Sequence, residues 1–252
     1  MQRRESDHAV RFVYLPDPHG TFCDWEAAEC GFAFTRRHRP NVVVVGGDVV
    51  DFYQLSRFDK NPERALDLPN DLAAGRRFLA GVRRAAPHAR LVYLQGNHEA
   101  RLGRWLWGPG AAILKLPEIS VPRLLEVSRH GARYVEEGVW TLGRLTFKHG
   151  QFVRSRSGLS ARAELDREGT SGCSGHTHRI AEVSVTTRGG FYKWVEAGCL
   201  CSLRPEYMPG QVPDWQQGLA YGAILPGGRF TLHTAHIIKG KTMYGDRLVE
   251  AA

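Results

Sequence analysis

Five short segments of this 252-residue chain concentrate the side chains that bind divalent metal ions. In chain order they are Asp17-Pro18-His19-Gly20, Gly46-Gly47-Asp48, Gly96-Asn97-His98-Glu99, Lys148-His149-Gly150 and Gly175-His176-Thr177-His178. Taken singly, each is ordinary turn chemistry, and His149 could be a plain strand-end histidine. The two histidines of the last segment, two residues apart, make an economical metal clamp. Together the segments hold five of the eleven histidines, beside aspartates and an asparagine. That mixture of imidazole, carboxylate and amide donors suits manganese, iron or zinc better than calcium, and it contains no thiolate to demand a soft ion. Glycines next to Asp48, Asn97, His149 and His176 leave the backbone room to approach an ion. Asp17 and His19 project to one side if the chain is extended there.

Short apolar runs must position these residues. Phe12 to Leu15 leads into the first segment, Val42 to Val45 into the second and Leu91 to Leu94 into the third; a run such as VVVV reads as a strand buried on both faces. Phe22 to Arg37 and Asp71 to Ala86 carry helical spacing, and the second ends at Pro87. This part of the chain therefore reads as β-α-β-α-β with a parallel sheet, which gathers ligands beyond the carboxyl ends of its strands. Thr170 to Ser174 is strand-like before the last segment. Arg144 to Lys148, Ile180 to Thr187, Phe191 to Val195, Leu219 to Leu225 and Arg229 to Ile238 are further strand-like runs between Gly or Pro turns, and they imply a second, largely antiparallel sheet. The expected fold is α/β, a four-layer α/β/β/α sandwich with two mixed β-sheets. One domain over 1–252 is expected, with loop insertions near 52–70 and 101–130, the second holding Trp105, Trp107 and a helical stretch near Arg123 to Arg129.

Asp-x-His, Gly-Asp, Gly-Asn-His-Glu, a lone strand-end histidine and Gly-His-x-His, in that order and at roughly these intervals, resemble the calcineurin-like metallophosphoesterase superfamily. The resemblance spans Asp17 to His178, about two thirds of the chain, and the later strands fit the second half of that family's sandwich. It implies two divalent ions, the first held by Asp17, His19, Asp48 and His178, the second by Asp48, Asn97, His149 and His176, with Asp48 as the bridge. Manganese is the first expectation, with iron, zinc, nickel and magnesium as alternatives. A carboxylate can offer one oxygen to each of two cations about 3.5–4 Å apart, and a hydroxide bridging them would attack phosphorus in line. His98 matches the family's non-ligand histidine, which donates a hydrogen bond or a proton to the leaving oxygen. Asp51, closing the GDxxD stretch from Gly47, is implied to orient His98 and favour its charged form. Phe52 stands where the Ser/Thr protein phosphatases of this family carry arginine, and those enzymes lack GHxH, so action on a diester or a small monoester fits better. The stretch from Gly47 through Ser56-Arg57-Phe58-Asp59 is also similar to uncharacterised phosphoesterases of phages and integrated elements.

Composition narrows the partner. The formal net charge is +8, and since only six of the 34 basic residues are lysine, 28 are arginine. That balance favours a polyanion; a GC-rich genome or a hot habitat would enrich arginine without any binding role. Arg57, Arg101 and Arg104 are the expected substrate-binding residues, and Trp105 and Trp107 beside them could stack bases or serve as the core of a lid. The first functional expectation is a phosphodiesterase acting as a nuclease, the alternative a phosphomonoesterase on nucleotides or phosphoproteins. A scaffold without turnover is disfavoured because every motif residue is present. Hydrophobic content of 42% and charged content of 24% exclude disordered and fibrous classes. The five cysteines lack CxxC spacing and read as reduced thiols. Met1 to Arg4 leads into no apolar run, so no membrane partner and a cytoplasmic location are expected.

Overall fold

A strand buried on both faces must send alternate side chains into two apolar layers. Strand β1 (Val10–Leu15) and, after helix α1 (Trp25–His38), strand β2 (Val42–Val45) do so. Phe12, Tyr14, Val42 and Val44 enter a core between two sheets, while Val13, Leu15, Val43 and Val45 face the helices. Helix α2 (Leu68–Ala85) and strand β3 (Arg90–Leu94) complete the β-α-β-α-β unit, with β1, β2 and β3 parallel. Asp24 starts α1 by accepting from the amides of Glu26 and Ala27, and Arg39 ends it in a left-handed conformation. The computed structural model describes residues 9–57, 61, 67–204, 206 and 210–251. Met1 to Arg4, Phe58, Asp59 and part of the 52–70 connection lie outside them.

The chain continues through helices α3 (Glu99–Leu106) and α4 (Val121–Leu124), strands β4 (Ala132–Val135), β5 (Val139–Leu142) and β6 (Leu145–Lys148), helix α5 (Leu159–Glu168), and strands β7 (Ser171–Ser174), β8 (Ile180–Thr187) and β9 (Gly190–Ala197). Strands β10 (Gly218–Ile224), β11 (Phe230–His236), β12 (Lys241–Tyr244) and β13 (Arg247–Glu250) follow. Among the described residues, one sheet has the order β11-β10-β1-β2-β3-β4 and the other β5-β6-β7-β9-β8; β12 and β13 form a hairpin. Both large sheets are mixed. Helices α1 and α2 cover the first sheet, and α5 covers the second around the buried Trp194. The layers are thus α/β/β/α. No helix among the described residues is long and apolar enough to cross a membrane.

Three expectations need correction. The runs Leu219 to Leu225 and Arg229 to Ile238 do not belong to the second sheet: β10 pairs antiparallel with β1 and β11 with β10, extending the first sheet at its free edge. The second sheet is consequently not largely antiparallel, since β6–β7 and β7–β9 are parallel while β5–β6 and β8–β9 are antiparallel. Alternating residues define a strand but not its neighbour. The connection 101–130 is no plain loop, because α3 already begins at Glu99; near Arg123 to Arg129, the left-handed Glu126 breaks the expected helix into α4 and a 3-10 turn.

Phe147 on β6 is fully buried between the sheets, edge-on to Phe12 at 5.0 Å and stacked on Tyr14 at 6.3 Å. Phe147→Ala is expected to lower the unfolding free energy by about 3–5 kcal/mol. Urea titration checks it; a loss under about 1 kcal/mol would mean that the two sheets do not share a close-packed core there.

Candidate metal centre

Each candidate ligand sits in a turn that leaves a buried strand, and most of these turns use a backbone region that side chains ordinarily avoid. Among the described residues nine non-glycines have positive φ, and five of them are Asp17, His19, Asp48, His176 and His178. Asp17 and His19 are therefore not extended, the condition on which their projection to one side rested; two left-handed residues flanking Pro18 aim them. Such strain persists where the surroundings over-determine it and concentrates at functional sites. Here the surroundings are specific. The His19 and Gly20 amides donate to the carbonyls of Asp48 and Val49 at 2.8 and 2.9 Å, and the His176 amide donates to Asp17 Oδ2 at 3.0 Å. Gly96 and Gly175 press directly against the carboxylates of Asp48 and Asp17, where a Cβ would not fit.

The side chains converge on two adjoining spaces. On one side His19 Nε2 and His178 Nε2 face each other at 3.0 Å, with Asp48 Oδ2 3.7 Å from His19 and Asp17 Oδ1 3.9 Å from His178. On the other, His149 Nε2 is 2.9 Å from Asn97 Oδ1, 3.2 Å from His176 Nδ1 and 3.3 Å from Asp48 Oδ2. Asp48 Oδ2 faces both groups. All seven expected ligands are thus brought together. Donor atoms bound about 2.0–2.2 Å from one ion lie roughly 3.0–3.5 Å from each other, so these spacings suit cations. The second nitrogens are already committed: His19 Nδ1 donates to Asp51 Oδ2 at 3.1 Å and His149 Nδ1 to the Gly46 carbonyl at 2.9 Å, which leaves each Nε2 as the ligating atom.

Asp17 Oδ1 supplies a sharper test of fit, because it is buried and accepts no hydrogen bond. A buried carboxylate oxygen without a partner is costly, and a cation beside it removes the cost. The electrostatics agree. Burial raises the Asp17 carboxyl above its usual range, with His149 opposing and Asp48 reinforcing the shift. Burial opposes charge on His19 and His149, yet the Asp51 hydrogen bond and the nearby carboxylates lift them to about 9 and about 10. His176 is lowered to about 4 by burial and by His149. Protons on His19 and His149 offset the ionised carboxylates of Asp48 and Asp51, while Asp17 is raised toward its neutral form.

His98 and Asp51 lie beside this centre rather than in it. His98 Nδ1 donates to the Asp51 carbonyl at 2.9 Å and sits 3.2 Å from Asp51 Oδ2, while the His98 amide donates to Asp48 Oδ1 at 2.9 Å. The Asp51 carboxylate therefore serves His19 and His98 together. Arg101 donates to the Asp51 carbonyl at 2.8 Å and to His98 Nε2 at 3.0 Å, and Arg104 donates to the Asn97 carbonyl at 2.8 Å. Arg57, Arg101, Arg104 and Trp105 line an open cleft of about 700 Å³ that reaches Asn97. Trp107 does not line it and is 79% exposed.

Sequence reasoning missed four participants. Glu99 accepts from the amides of Asp48, Val49 and Gly96 at 2.7–2.8 Å, and Asp71 from those of Thr21, Asp51 and Phe52 at 2.7–3.3 Å. Cys201 Sγ is 3.9 Å from His178 Nδ1 and could join His19 and His178 around an ion. Trp215 packs edge-on to His178 with centroids 4.3 Å apart. Only Glu99, inside a ligand motif, carried a local signal.

No family model matches the chain. It is 26% identical over 246 residues to the Gene 54 protein of Mycobacterium phage D29, covering 88% of this chain and 96% of that protein, and equally so to the Gene 54 protein of Mycobacterium phage L5. The crystal structure of Chaetomium thermophilum Vps29 superposes with a TM-score of 0.50 at 11% identity, covering 97% of this chain and 100% of that one. That likeness is one of fold alone, a four-layer α/β/β/α sandwich.

Coordination requires unprotonated imidazole and ionised carboxylate. With His19 and His149 at about 9 and about 10, metal binding near neutral pH must expel protons, and affinity must rise as pH rises toward those values. Titrating manganese calorimetrically in two buffers of different ionisation enthalpy is expected to show net proton release, with tighter binding at about pH 8 than at about pH 6. Buffer-independent heats would mean that these imidazoles are already neutral.

Proposed function

We propose that this chain is a two-metal phosphoesterase of the calcineurin-like metallophosphoesterase superfamily, a single domain over 1–252 that hydrolyses phosphodiesters, with nucleic acid as the substrate class. The observation that carries this reading is the position of Asp48 Oδ2 between two sets of donors, with Asp17 Oδ1 buried and unpartnered beside them. Asp17, His19, Asp48 and His178 would hold one ion, and Asp48, Asn97, His149 and His176 the other. Manganese is the proposed metal. Two such ions polarise phosphate oxygens and supply hydroxide near neutral pH.

The chain's own residues do the rest. The Asp51 carbonyl fixes a proton on His98 Nδ1, and His98 Nε2 lies 3.0 Å from Arg101, which lines the cleft. To donate to a leaving oxygen His98 must also carry a proton on Nε2, and Asp51 Oδ2 lies 3.2 Å from Nδ1 and Asp48 Oδ2 3.7 Å from Nε2. Arg101 holds Nε2 in the absence of substrate, and its guanidinium matches a phosphate's paired oxygens. Arg57, Arg104 and Trp105 along the same cleft support a substrate that extends beyond one phosphate, as a nucleic acid strand does. The likeness to two mycobacteriophage proteins supports a phage-type or mobile-element member.

Asp48→Asn is expected to reduce bound manganese below two equivalents and to abolish nearly all turnover while the fold survives; elemental analysis and melting check it, and full occupancy with normal turnover would refute the bridge. His98→Ala is expected to keep both metals and lose about 10²–10⁴ in turnover on poor leaving groups, with a smaller loss on nitrophenolate. Equal losses on both would remove the acid role. Brisk hydrolysis of nucleoside monophosphates beside inert diesters and strands would favour the monoesterase alternative.

A further inference from the structure

A second concentration of arginines lies at the C-terminal end of α1, away from the turn that carries His19. Arg36 and Arg37 in the last turn of α1, Arg39 at its cap and Arg247 on β13 line an open groove of about 960 Å³, with Tyr244 as one wall and Asp246 as the one acid. The four are exposed, and no ion pair holds any of them among the described residues. Basic residues at the end of α1 complement the helix dipole, which accounts for Arg36 and Arg37 but not for Arg247, which reaches the groove from a separate hairpin. Four like charges against the single carboxylate of Asp246 repel one another, and a polyanion relieves that repulsion. The guanidinium fork suits phosphate oxygens in particular.

We propose that this groove binds the phosphate backbone of a nucleic acid strand, at a site separate from the metal centre. Helix α1 runs from the turn of His19 and Asp24 to the groove, and its 14 residues span about 21 Å at 1.5 Å each. At about 3.4 Å per nucleotide of one strand, some six nucleotides separate the two positions. The groove therefore holds long strands and is out of reach for a small ester. Naming nucleic acid rests on the substrate class proposed above.

The test uses the whole chain in chelator, so that nothing is cut, and a fluorescein-labelled single strand of about 30 nucleotides followed by anisotropy across a salt series. Replacing Arg36, Arg37 and Arg247 together by glutamine, on the surface and away from the core, is expected to weaken binding at least about tenfold and to reduce the slope of log K against log salt by about 2, at roughly 0.7 per lost phosphate contact. Hydrolysis of bis-nitrophenyl phosphate with manganese is expected to stay at the wild-type rate. Unchanged affinity and slope would overturn the proposal. So would wild-type binding to phosphatidylserine vesicles with none to the strand. Failure of the phosphoesterase reading is separable, because it appears as absent ester hydrolysis and leaves the binding measurement intact.

Discussion

Buried carboxylates that accept backbone amides hold the ligand turns in place. A turn that leaves a strand through left-handed residues cannot pass its N–H groups to a neighbouring strand, and an unpaired buried N–H is costly. Glu99 takes four such donors from the turns after β2 and β3, the longest at 3.4 Å from Val50, and a fifth from the Tyr93 hydroxyl at 2.7 Å. Asp71 takes three from the turns after β1 and β2. Glu196 ties the Thr177 hydroxyl to the Gly158 amide at 2.7 and 2.8 Å, joining the GHTH turn to the segment that follows His149. Charge-assisted bonds of this kind are roughly twice as strong as neutral ones. Each carboxylate thus fastens two segments whose relative position sets a metal-site distance.

The arrangement carries an electrostatic cost that depends on what occupies the centre. Glu99 and Asp71 are pushed up by burial, Asp71 to about 6, whereas Asp51 is pulled well down because His19 and His98 outweigh its burial. Asp48 is likewise held low, by His149 and His98 against its own burial. A cation beside the same donors would take the place of the protons on His19 and His149, and the left-handed turns already point them.

Arg101 links this centre to the cleft outside it. Its guanidinium reads as a substrate contact from sequence, yet one edge is bound to Asp51 and the other to His98. It therefore fixes His98 while lining the cleft that reaches Asn97. Arg104 has a comparable anchor on the Asn97 carbonyl, so both arginines depend on the Gly-Asn-His-Glu turn for their position.

Metal affinity follows from residue type, and the ordered turns after apolar runs marked the candidate donors, while the set of seven ligands and the roles of His98 and Asp51 came from the resemblance those motifs carry. Two-sided burial likewise follows from a run such as Val42 to Val45, so the parallel unit and the layered α/β class were legible. What local pattern could not carry was partnership at long range. His19 meets His178 across 159 positions, and β10 adds to β1 rather than to the second sheet, because a strand's periodicity states which face is buried and not which edge is free. The left-handed turns at Asp17 and His19, the clamps at Asp71 and Glu196, and the thiol of Cys201 beside His178 exist only once those distant segments pack. Burial and neighbouring charge, which decide what these groups do, are properties of the tertiary structure alone.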